Sequence, residues 1–177
     1  MKHVYEFTNK RKLTKREFIK WFQKKFLYTL RKFKMAGKND VIAYENKGDF
    51  RGVVLENLLE MFSHRALISI FKADTKRKYT KKALTSTTDT EANKMTYILI
   101  KGDTNRLKEL APVYGKTIKP LFLFLDKEVL LYAKLMNLKF KKIAEKKDKI
   151  SKFINELEKK HPEIKNSIIS SYLELFS

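Results

Sequence analysis

Between Val41 and Phe71 the chain passes through an apolar run, a polar loop, an amphipathic stretch and a second apolar run. Val41-Ile42-Ala43-Tyr44 is too short for a helix and carries no polar alternation, so it reads as a strand covered on both faces. Glu45 to Arg51 is polar and contains Gly48. Val53, Val54, Leu55, Leu58, Leu59 and Phe62 then recur near the helical period, which predicts a helix from about Gly52 to Ser63. Ala66 to Phe71 is a second buried strand. Two strands joined through a helix pair in parallel. The expected fold class is therefore α/β, a small parallel sheet flanked by helices.

The flanking segments fill out that plan. Thr14-Lys15-Arg16-Glu17 reads as a capping box opening a helix to about Lys34, with Phe18, Trp21, Phe22, Leu27, Leu30 and Phe33 on its apolar side. Ala83 to Ser86 is read as a third short strand. A helix follows from about Thr90 to Lys101, capped by Asp89 or Thr88 and ended by Gly102. Residues 116–124 look extended, and Asp126 is read as the cap of a helix through Leu135. Two helices, about 147–160 and 163–177, close the chain, with Pro162 at the first turn of the last. The expected division is a basic N-terminal helical segment (1–36), a reduced α/β unit (37–140) and a C-terminal helical segment (141–177).

The charge is large and uneven. Lys and Arg number 40 against 20 acidic residues, a formal +20. Residues 1–35 hold twelve basic and two acidic residues, whereas residues 36–71 hold four and five. A small domain with that excess repels itself, and a polyanion, nucleic acid first, relieves the repulsion. The expected phosphate-facing residues are Lys24, Lys25, Arg31 and Lys32, with a second group at Lys72, Lys76, Arg77 and Lys78. The absence of cysteine excludes disulfides, thiolate-held zinc, iron–sulfur clusters and thiol catalysis in this chain. His3, His64 and His161 lack metal-ligand spacing. No stretch nears the roughly 18 apolar residues that span a bilayer, and the first residues lack a secretory apolar core. The expected setting is the cytoplasm, with no membrane partner.

Several segments resemble, in order, the tRNA-thiolation branch of the PP-loop (N-type ATP pyrophosphatase) family. The lead-in is Phe26-Leu27-Tyr28-Thr29-Leu30-Arg31-Lys32-Phe33-Lys34. Thr88-Asp89-Thr90-Glu91-Ala92 is similar to the branch's Leu-Asp-Asp-Glu-Ala, and Lys101-Gly102-Asp103 to its Arg-Gly-Asp. Ile118-Lys119-Pro120-Leu121 and Asp126-Lys127-Glu128-Val129-Leu130-Leu131-Tyr132-Ala133 are similar to its Ile-Lys-Pro-Leu and Glu-Lys-Glu-Val-x-x-Tyr-Ala. Phe153 to Pro162 follows its Phe-Leu-Asn-Glu-Leu-Glu-Lys-Lys-His-Pro. The phosphate loop departs from the pattern. Where the family has Ser-Gly-Gly-x-Asp-Ser, this chain has Glu45-Asn46-Lys47-Gly48-Asp49-Phe50, keeping only the aspartate. The family's zinc-binding and sulfur-handling cysteines are also missing.

The resemblance implies an adenine nucleotide alpha hydrolase-like fold and a process, 2-thiolation of the tRNA wobble uridine. The departures imply a non-catalytic subunit without cofactor, similar to the degenerate subunit that eukaryotic complexes pair with an active one, in a stripped, archaeal-like form. Its implied partners are tRNA and a catalytic PP-loop thiolation subunit. The alternatives are a minimal ATP- and Mg-dependent tRNA-modifying enzyme, with Asp49 or the pair Asp89 and Glu91 near the metal, and a stand-alone RNA-binding protein.

Overall fold

A computed structural model describes residues 2–73, 77–142 and 148–176. The chain opens with an antiparallel hairpin, β1 (His3–Glu6) and β2 (Lys12–Thr14), then α1 (Lys15–Lys32). The unit expected around the polar loop follows as β3 (Val41–Tyr44), α2 (Phe50–Ser63) and β4 (Ser69–Lys72). Next come β5 (Lys81–Ala83), α3 (Thr88–Lys101), a 3-10 helix (Thr104–Leu110), β6 (Val113–Tyr114) and β7 (Thr117–Ile118). α4 (Asp126–Leu135), α5 (Lys149–Lys160) and α6 (Ile164–Phe176) complete the described elements.

The five-stranded sheet runs β4-β3-β5-β7-β6. β4, β3, β5 and β7 are parallel, and β6 closes one edge antiparallel to β7. The α/β reading therefore holds, in the form of a mostly parallel sheet between helices. Ile42, Ala43 and Ala83 are wholly buried, as expected for strands covered on both faces.

α1 begins at a complete capping box: Glu17 accepts from the Thr14 backbone N–H at 2.8 Å, and Thr14 accepts from the Glu17 N–H. Its inward stripe is Phe18, Phe22, Phe26 and Leu30, recurring at i, i+4, i+8 and i+12. These side chains enter the cluster that holds Ile42, Leu55, Leu58 and Tyr132. Phe22 stacks on Tyr132 with ring centroids 4.3 Å apart and meets Phe124 at 4.5 Å. A second cluster joins Ala92, Met95 and Ile98 of α3 to Phe122 and to Ile169 and Tyr172 of α6.

Four local expectations are revised and one element is added. The N-terminal hairpin was not legible, because its turn uses Lys10 at φ 65° where glycine is the usual signal. The strand expected from Ala66 starts at Ser69, since the Ala66 N–H still bonds back to Phe62 O at 3.0 Å. The third strand is Lys81–Ala83 rather than 83–86. Residues 116–124 are extended only at Thr117–Ile118; beyond them Phe122 N–H donates to Lys119 O and Phe124 N–H to Leu121 O, a tight turn around Pro120. The last helix starts at Ile164, two residues past Pro162.

Candidate functional site

From β3 the chain crosses to β4 on one side, then returns to β5 on the other. That reversal makes the carboxyl ends of β3 and β5 the topological switch point of the sheet, where open α/β sheets place their ligands in a crevice. The loop after Tyr44 and the segment after Ala83 form its walls. The first turns of α2, α3 and α4 converge there.

Side chains of the loop take two of the amides around it. Asn46 Oδ1 accepts from Gly48 N–H at 2.8 Å, and Asp49 Oδ1 accepts from Gly52 N–H at 2.7 Å. Asp49 is thereby the cap of α2. The packing is close: a Cβ on Gly52 would lie 2.6 Å from Asn46 Oδ1 and 2.9 Å from Asp49 Oδ1. Gly48 sits at φ +79°, which favours glycine. Glu45 does not project a bare carboxylate into the crevice, because Lys82 binds it at 2.6 Å. That bond, with the positive field of Lys82 and Lys47, holds the Glu45 carboxyl below its usual range despite some burial. Lys47 is exposed. Phe50 meets Phe140 edge to face and lies under the Arg51 guanidinium.

Glu56 fixes the loop from below. It accepts from Tyr44 Oη at 2.7 Å and Asn46 Nδ2 at 2.5 Å, and pairs with Lys72 at 3.1 Å. Burial pushes its carboxyl up, but these three donors hold it below the ordinary value.

A second network ties the helix starts together. Arg51 forms a bidentate pair with Asp126. Thr87 Oγ1 donates to Asp126 Oδ1 at 2.8 Å, and Asp126 N–H donates to Asp89 Oδ2 at 2.7 Å. Lys165, reaching in from α6, binds Asp89 and Glu158 at 2.6 Å each. Burial and the neighbouring Asp126 carboxylate push Asp89 above its usual range. Burial opposes the Lys165 charge, yet its two carboxylates hold that ammonium above its ordinary value. Asp126 is thus a cross-link between helices rather than the cap of α4, and Thr87 rather than Thr88 or Asp89 caps α3. Arg51, Thr87, Lys165 and Glu158 are not candidates from sequence; Glu158 lies in the Phe153–Pro162 segment and Thr87 starts a local capping box, but neither signal shows that they meet here.

Asp89 and Glu91 do not form a joint cation site. Glu91 is wholly buried and binds Lys119 and Lys94 at 2.7 Å each. Lys119, itself 3% exposed, also donates to Glu109 O at 2.8 Å. Burial lowers the Lys119 pKa, against the pull of Glu91. Among the described residues no group of three or more His, Cys, Asp or Glu is placed to hold a metal ion.

The expected phosphate-facing cations divide. Lys24, Arg31 and Lys32 are exposed on the outer side of α1. The 51%-exposed Tyr28 lies between them, with Lys32 Nζ 5.8 Å from its ring. Lys25 is turned inward: it binds Glu128 at 2.8 Å and lies over the rings of Trp21 and Phe124. Lys72 is engaged with Glu56, Arg77 lies over Phe71 at 5.1 Å, and Lys78 is exposed. Lys76 lies outside the described residues.

No protein-family model matches the chain, and a search of curated proteins finds no match. Among solved structures the fold is similar to the U34-tRNA thiolase NcsA from Methanococcus maripaludis with its 4Fe-4S cluster. The TM-score is 0.75 at 20% identity, covering 98% of this chain and 84% of that one. A thiolate-held cluster does not fit this chain, which has no cysteine. Two amides at this turn, those of Gly48 and Gly52, already donate to Asn46 and Asp49, so a phosphate would have to displace those side chains to reach them. No helix among the described residues is long and apolar enough to cross a membrane. The chain shares the fold of that thiolase, and at its β3–α2 turn Asn46 and Asp49 accept from the Gly48 and Gly52 amides.

Proposed function

We propose that this chain is a non-catalytic accessory protein of tRNA wobble-uridine 2-thiolation, binding tRNA and a catalytic PP-loop subunit in a heterodimer. The observation that carries the reading is the filled loop. The scaffold is that of a thiolase, but Gly48 and Gly52 donate to Asn46 and Asp49, and Arg51 and Lys165 are neutralised by Asp126, Asp89 and Glu158. Opening that crevice to a triphosphate means breaking several charge-assisted hydrogen bonds at once, which opposes binding. The cations left outward on α1 supply a surface for an RNA backbone.

Two measurements on the purified protein test it. The expected results are no melting-temperature change with millimolar ATP and magnesium, and tRNA binding that weakens steeply with salt. A magnesium-dependent rise with ATP overturns the non-catalytic reading. A flat salt response overturns the RNA-binding surface. Co-purification of a cysteine-bearing PP-loop paralogue with the tagged chain is the expected result for the partner, and its absence from a native extract removes the heterodimer.

A further inference from the structure

α3 starts in the crevice, but its far half borders a different space. Tyr97 lies eight residues beyond Asp89, about 12 Å along the helix axis. There a cleft of about 360 Å³ opens between α3, the 3-10 helix and the first turn of α5. That volume is within the range of small-molecule sites. Ile98 and Leu110 form an apolar floor. Tyr97 stands at the side, 47% exposed.

The polar groups of the cleft are incomplete in one place. Asn93 lines it, and Asn93 Oδ1 is buried with no hydrogen-bond partner in the described structure. A buried acceptor without a donor is costly and uncommon in native proteins. The terminal torsion of an asparagine has a broad energy well, so a modest turn of the amide presents that oxygen to an occupant. Three of its other polar side chains are engaged. Glu109 faces Arg106 at 3.5 Å, Asp148 caps α5 through Ser151 N–H at 2.7 Å, and Lys94 binds Glu91. Arg106 reaches its acids only at 3.5 and 3.9 Å and is exposed, so its guanidinium retains donors at the mouth. Lys101 does not line the cleft, but its ammonium lies over the Tyr97 ring, 5.8 Å from the centroid, and brings a second cation beside it.

We propose that this cleft takes one unpaired nucleotide: the base stacks on Tyr97, an exocyclic or ring N–H donates to Asn93 Oδ1, and the phosphate lies at Arg106, near Lys101. The ligand chemistry follows from the parts. A flat π-surface with an apolar floor suits a base, a lone acceptor suits its N–H edge, and guanidinium suits phosphate. The source is a free mononucleotide or a single-stranded position of an RNA. The RNA source rests on the tRNA-binding reading above, and the mononucleotide source does not.

The test is calorimetric titration of the full chain with AMP, adenosine and a five-residue adenosine oligoribonucleotide, with tRNA binding measured in parallel. Expected results are AMP binding at least tenfold tighter than adenosine, and competition between AMP and the oligonucleotide. Tyr97→Ala and Arg106→Ala each weaken AMP by tenfold or more, while Lys24→Ala leaves AMP unchanged. Asn93→Leu separates site from scaffold: it raises the melting temperature, because an unsatisfied acceptor is removed, yet abolishes AMP binding. A lowered melting temperature together with unchanged AMP affinity in Asn93→Leu overturns the proposal, as does unaltered AMP binding by Tyr97→Ala or no AMP binding at millimolar concentration. AMP binding without oligonucleotide competition assigns the cleft to a free nucleotide. Intact tRNA binding in Tyr97→Ala with AMP never bound removes this site and leaves the tRNA reading standing. AMP binding without tRNA binding does the reverse.

Discussion

At the scale of single residues, the closed loop depends on a hydrogen atom at Gly52. Any side chain there collides with Asn46 Oδ1 and Asp49 Oδ1, both held by hydrogen bonds and neither free to retreat. Gly52→Ala is expected to destabilise the protein by about 1–3 kcal/mol through overpacking, and a chemical denaturation midpoint equal to the parent's would contradict the packing described. Glu91→Gln is expected to cost about 3–5 kcal/mol, since it leaves Lys119 charged and buried without its partner; equilibrium urea unfolding measures it. Asp49 caps α2 by local chemistry, an aspartate before a helical apolar run, although the family resemblance set it near a metal instead. Nothing near Glu91 in sequence shows that Lys119, 28 residues on, meets it in the interior, so it was grouped with Asp89 as a cation candidate.

At the scale of elements, α1 has two functions on two faces. Its aromatic stripe belongs to the core, and its outer face carries Lys24, Tyr28, Arg31 and Lys32. Replacing Lys24, Arg31 and Lys32 by alanine is expected to weaken tRNA binding and flatten its salt dependence by about one log–log unit of slope per lost phosphate contact, with the circular dichroism melt unchanged. Lys25→Ala is expected to do the converse, lowering stability through loss of the Glu128 pair while sparing the salt slope. A filter-binding titration at several salt concentrations distinguishes them. The helices were legible because their apolar period and caps are local signals. The strands were less so. β5 has only three residues, two of them lysines, and its place follows from pairing with β3 and β7. The crevice network was not legible at all, since Arg51, Thr87, Asp126 and Lys165 come from four separate stretches.

At the scale of the whole molecule, protons and charge act together. Glu45 is held below its usual range by the Lys82 hydrogen bond, and Glu56 by three donors that outweigh its burial. A carboxyl whose folded pKa is depressed stabilises the fold above its unfolded value, about 4.3. That contribution is lost as pH falls through the folded pKa. Asp89, raised by burial and by Asp126, has the opposite sign and offsets part of the loss just above the unfolded aspartate value. The net expectation is a melting temperature that falls steeply below about pH 4.3, aided by a positive charge that grows as carboxylates protonate. A profile flat to pH 3 would show that these bonds contribute little. Glu45→Gln and Glu56→Gln should each shallow the acid limb.

One backbone bond has a mechanical consequence. Lys141 donates its amide proton to Gly48 O at 2.7 Å, so the stretch leaving α4 is moored to the turn between β3 and α2. A pull on the stretch just after α4 is therefore passed to that turn, and slow hydrogen–deuterium exchange at the Lys141 amide would register whether the tether is taut or slack.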